Sequence, residues 1–116
     1  MTTRELSAIH ETNVAKALKD FGARRTSNSG ATPFTKGDVL TDYAIIECKT
    51  KMNEVNAFSI QKEWLTTLEE ERRGMGKAIS ALAFSMDSGK RSYYVISETA
   101  MKMLLDYIDR EAKEYV

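Results

Sequence analysis

The sequence predicts a small mixed α/β domain built on a single sheet, and three observations lead there. Apolar residues recur at helical spacing at both ends of the chain. The nearly continuous apolar run Ile79 to Met86 has the character of a buried central strand. Between these stand short strand-like runs bounded by turn residues. A length of 116 residues suits one hydrophobic core, so a single domain over 1–116 is expected.

The elements follow in order. Residues 5–21 read as a helix, with Leu6, Ile9, Val14, Ala17, Leu18 and Phe21 as its stripe and Gly22 as its stop. Residues 26–37, TSNSGATPFTKG, hold the single proline, two of the six glycines and several Ser and Thr, and are expected to form a long loop. Residues 38–41 and 43–50 read as two strands turning near Thr41–Asp42. A second helix is expected over 59–73, with Ser59 as N-cap and Gly74 and Gly76 at its end. After the apolar strand 79–86 come a turn at Asp87–Lys90, a strand over 92–97, and a third helix over 98–114.

Composition excludes several functions. Lys plus Arg and Asp plus Glu are 17 each, so the chain is neutral and no polybasic nucleic-acid binder. One cysteine (Cys48) and one histidine (His10) rule out an internal disulfide and a Cys/His zinc site. A lone cysteine fits a reducing, cytoplasmic compartment. The first residues hold no apolar signal segment, and no apolar run is long enough to cross a membrane. Gly74-Met75-Gly76-Lys77 lacks the spacing of a phosphate loop, and Ser7 with His10 lacks the partners of a serine hydrolase.

One stretch carries chemistry: Gly37-Asp38-Val39, then Ile45-Ile46-Glu47-Cys48-Lys49. Glu47 and Lys49 are two apart on a strand and share a face, while Cys48 points with Ile46 and Ala44 into the core. With Thr41 and Asp42 as the turn, hairpin pairs sum to 83, setting Asp38 opposite Ile45 and diagonal to Glu47. Two carboxylates so placed repel unless a cation lies between them, and an all-oxygen set favours Mg²⁺ or Mn²⁺. A bound divalent ion lowers the pKa of its water and screens a phosphate.

These residues resemble the PD-(D/E)XK nuclease superfamily and, within it, the small archaeal and phage Holliday junction resolvases. The resemblance runs through most of the chain: Glu11 on the first helix, Phe21-Gly22, Arg24-Arg25, the Ser27-Asn28-Ser29-Gly30 loop, Gly37-Asp38-Val39 and Ile46-Glu47-Cys48-Lys49. It implies a restriction-endonuclease-like fold, a central mixed sheet of about four to five strands flanked by helices. It further implies Asp38 and Glu47 as metal-binding carboxylates, Lys49 as the catalytic lysine, and the Cys48 carbonyl as a further metal ligand. Glu11 would join the same site from the first helix, and Gln61 resembles a glutamine that some members place beside the lysine.

The implied activity is Mg²⁺- or Mn²⁺-dependent endonucleolytic cleavage of DNA four-way junctions. The alternatives are a nuclease acting on another DNA substrate, as in repair or restriction-like nicking, and a non-catalytic DNA-binding module. Residues 1–62 hold nine Lys/Arg against seven Asp/Glu, and metal would neutralise three of those acids, leaving an electropositive face on a neutral chain. Arg24, Arg25, Ser27, Ser29, Lys36 and Lys51 are the candidate DNA contacts. A junction must be cut in two opposed strands, which implies a homodimer. The third helix offers Met101, Met103, Leu104, Tyr107 and Ile108 for the contact.

Overall fold

The computed structural model describes residues 2–26, 37–51 and 53–114. The loop expected over 26–37 therefore falls, from residue 27 to 36, outside the described residues, as do the candidate contacts Ser27, Ser29 and Lys36.

Helix α1 spans Thr3–Ala17 and continues into a 3₁₀ turn over Lys19–Phe21. It starts two residues earlier than the apolar stripe indicates. Thr2 and Glu5 form a capping box, each side chain accepting from the other's backbone N–H. Gly22 ends the segment at φ +77°.

Five strands follow: β1 (Arg24–Arg25), β2 (Val39–Leu40), β3 (Ala44–Thr50), β4 (Ile79–Ser85) and β5 (Tyr93–Val95). They form one mixed sheet in the order β1-β2-β3-β4-β5, with only β3 and β4 parallel. A parallel pair needs a crossover, and helix α2 (Lys62–Met75) lies within it. Strand β1 was not expected: two exposed arginines carry no apolar alternation, and its identity lies in its backbone pairing with β2.

The sheet is covered from both sides. Val14 of α1 packs with Val39, Ala44, Ile46, Ala81 and Ala83. On the opposite face, Leu68 of α2 packs on Leu40 and Ile45. The alternation of β3 thus gives Ala44, Ile46 and Cys48 to the α1 face, as expected, and Ile45, Glu47 and Lys49 to the α2 face. Ser59 is not the cap of α2. Phe58 packs against Phe84, 5.1 Å between ring centroids, and the helix opens only at Gln61, whose side chain caps nothing. Gly74 lies inside the helix, and Gly76 ends it at φ +67°.

His10 is fully buried and joins three elements. Its Nδ1 lies 2.6 Å from Thr50 Oγ1, and its Nε2 lies 2.8 Å from Ser92 Oγ. Burial pushes its pKa below the ordinary value, opposed by Asp38 and Asp87. It ties α1 to the end of β3 and to the β4–β5 connection through these two hydroxyls.

Helix α3 (Glu98–Glu114) has the expected bounds, and Ser97 Oγ accepts the N–H of Ala100 at its start. It does not lie down on the sheet. Among its described residues only Ala100 is buried, while Met101, Met103, Leu104, Leu105, Tyr107 and Ile108 are each 44–61% exposed. The radius of gyration is 14.9 Å, above the about 13 Å of a compact chain of this length. No helix among the described residues is long and apolar enough to cross a membrane.

Candidate metal-dependent active site

The site is built where β2 begins and β3 nears its end. Gly37 sits at φ +78°, and a Cβ there would stand 2.5 Å from Ile45 Cγ1, so only glycine lets the chain pass this close to β3. The next residue is Asp38. Its N–H donates to Ile46 O (2.9 Å), while its carbonyl accepts from Thr26 N–H (3.0 Å) on the other side. Its carboxylate accepts from the Cys48 N–H at 2.8 Å.

This register corrects the expected one. Val39 pairs with Ile46 and Leu40 with Ile45, a shift of two residues that lifts Asp38 away from Ile45 to the level of Ile46–Cys48. The cause is Thr41. Its Oγ1 accepts from the N–H of both Tyr43 and Ala44, and its own N–H donates to Ala44 O. The turn therefore centres on Asp42–Tyr43, one residue later than expected. The effect on the site is favourable: Asp38 now stands at the level of Glu47, near enough for its charge to act on that carboxyl.

The electrostatics follow from that placement. Burial, then the Asp38 charge, pushes the Glu47 carboxyl up to about 8, with Glu71 adding to the rise and Lys49 opposing it. Near neutrality the buried Glu47 therefore keeps its proton beside the Asp38 charge. A hard cation is the other way to satisfy the two carboxylates. The edge suits one in a further respect. Ala44 O and Ile46 O both accept from the β2 side, and by the two-residue alternation the Cys48 carbonyl leaves β3 on that side too, beside Asp38. Asp38, Glu47 and the Cys48 carbonyl are thus the oxygen groups of this strand end. Burial raises the Cys48 thiol far above its ordinary range, so its sulfur is a core group.

Divalent-ion binding must displace the Glu47 proton. Affinity for Mg²⁺ or Mn²⁺ is therefore expected to rise with pH up to about 8. Below that pH binding should release about one proton per ion. Titration calorimetry in two buffers of different ionisation heat measures the proton count, and proton-neutral binding at pH 7 would contradict the arrangement.

The other candidates are placed as follows. Glu11 lies 3.5 Å from Arg25, and its pKa is raised by burial and by Asp38. Among the described residues no three His, Cys, Asp or Glu side chains close on one metal position, so Glu11 stands beside the pair rather than on it. Arg24 and Arg25 are exposed on β1, adjacent to the Asp38 strand, and Arg25 also donates to Thr12. Lys51 is exposed just past β3, its ammonium 5.5 Å from the Phe58 ring centroid. Gln61 is exposed at the N-cap of α2.

Sequence reasoning missed the wall facing Glu47 and Lys49. A pocket of about 310 Å³ opens on both, bounded on α2 by Glu63, Trp64, Thr67, Leu68 and Glu71. The signal was present in the i, i+3, i+4, i+7 spacing of Trp64, Thr67, Leu68 and Glu71. Trp64 reads from sequence as plain core, and Glu71 as part of a solvated charged helix end.

No family model matches the chain, and no characterised protein or solved structure is similar to it.

Proposed function

We propose that the protein is a metal-dependent, structure-selective DNA endonuclease that hydrolyses phosphodiester bonds in four-way junctions. The observation that carries this reading is the placement of Asp38, held on the Cys48 N–H, beside Glu47 and two residues of strand from Lys49. Mg²⁺ or Mn²⁺ fits the oxygens of Asp38, Glu47 and the Cys48 carbonyl, and when bound would supply an activated water and charge screening at the scissile phosphate. Lys49 supplies a positive charge at the same edge. Arg24, Arg25 and Lys51 offer phosphate contacts flanking it, so binding should weaken with salt. A homodimer, working in the cytoplasm, would present two such edges to the two opposed strands. The neutral net charge favours, as a second reading, a nuclease acting on another DNA substrate, as in repair or restriction-like nicking.

The test is incubation of synthetic four-way junctions, and of linear duplex with the same arms, under Mg²⁺, Mn²⁺, Ca²⁺ or EDTA. Cleavage is expected with the first two ions, poorly with calcium, whose looser geometry holds DNA without activating water, and not in EDTA. Turnover in EDTA would exclude the metal-dependent reading. Equal competition by linear duplex would replace the junction by another DNA substrate.

A further inference from the structure

The ammonium of Lys49 lies 4.4 Å from the centroid of the Trp64 ring. Trp64 is held there by the start of α2: its N–H donates to Gln61 O, and one turn on, buried Leu68 pins the helix to Leu40 and Ile45. The α2 wall also carries Glu63 and Glu71, two carboxylates open to the same pocket. A flexible lysine stem can reach many positions, and ordering it costs rotamer entropy. A carboxylate partner would fix the ammonium by occupying its N–H groups and cancelling its charge. An aromatic face attracts the cation through its quadrupole without cancelling its charge, and leaves N–H groups on the far side for a phosphate or a water.

We propose that Trp64 is the positioning residue of the candidate site, holding the Lys49 ammonium against its ring face on the side of β3 that carries Glu47. This rests on the nuclease reading. Trp64 touches the lysine rather than the reacting atoms, so its loss should lower kcat and leave DNA affinity unchanged.

The experiment uses the full chain and two variants. Trp64→Phe keeps an aromatic face; Trp64→Met keeps apolar bulk without one. Cleavage kinetics with Mg²⁺ are expected to show kcat about tenfold lower for Trp64→Met at unchanged KM, with Trp64→Phe within about threefold of the parent. A parent-like kcat in Trp64→Met, or a Trp64→Phe as impaired as Trp64→Met, would overturn the proposal. A second readout needs no activity. The Lys49 ε-methylene protons should resonate upfield in the parent through the ring current of Trp64, and their absence from that region would equally overturn it. If Trp64→Met does not fold, the parent resonance together with Trp64→Phe kinetics decides the matter. If the parent cleaves no DNA with Mg²⁺ or Mn²⁺, the nuclease reading fails, and the resonance still decides where Lys49 is held.

Discussion

Glu47→Gln is expected to lower metal-dependent cleavage by at least about a thousandfold, equivalent to about 4 kcal/mol of barrier. The same change should stabilise the metal-free protein in alkaline solution. Glu47 titrates at about 8 in the folded chain against an ordinary 4.5. Between those values the folded state holds a proton that the unfolded state lacks, so stability falls as pH rises, by up to about 1.4 kcal/mol per pH unit. Glutamine does not titrate and is spared that loss. In thermal unfolding without metal, the variant should exceed the parent most clearly above pH 8 and converge with it near pH 5. Lys49→Ala should share the loss of cleavage, since its side chain lies on the pocket face and its removal leaves the core intact. Near-parental cleavage in either variant would place the chemistry elsewhere, and a parent whose stability does not fall between pH 5 and 8 would refute the buried carboxylate pair.

The second large effect concerns α3. Six large apolar side chains about half exposed on one helix leave roughly 600 Å² of surface per copy, a large part of the about 800 Å² per partner in a standard interface. Beside the helix, an apolar groove of about 470 Å³ lined by Leu18, Phe21, Tyr43, Ile46, Tyr94 and Leu104 is open as well. The homodimer proposed above would cover both. Leu105→Lys combined with Ile108→Lys is expected to turn a dimer into a monomer at micromolar concentration, with the pH-dependent behaviour of Glu47 unchanged. Analytical ultracentrifugation decides this. A parent that sediments as a monomer would remove the geometric basis for paired cuts.

Much of the fold was legible because burial writes periodicity into sequence. The bounds of α3 and the alternation of Ala44, Ile46 and Cys48 follow directly from apolar spacing. What was not legible depends on backbone and single hydrogen bonds. Strand β1 has no side-chain signature. The two-residue register shift comes from one threonine hydroxyl, and turn chemistry at Thr41 outweighed the apparent Thr41–Asp42 pair. Asp38, Glu47 and Lys49 could be named together because strand neighbours stay neighbours. Trp64 and Glu71 could not, since the crossover that brings α2 over β3 is a tertiary fact. The projection of α3 away from the sheet was hidden for a similar reason: an amphipathic pattern says that a face needs covering, not what covers it.

The hairpin register bears also on the order in which the molecule assembles. Asp38 and Glu47 are brought together across only eight intervening residues, a closure of the kind completed in about 1–10 μs. The parallel pairing of β3 with β4 must instead span from Ala44 to Ile79, and such long-range pairing is slow. The repulsion between the two carboxylates therefore falls on an early, local step, before the sheet exists to enforce it. In alkaline solution that step should be the one slowed, and a divalent cation would then act as a folding accelerant, drawing the hairpin shut ahead of the rest of the chain.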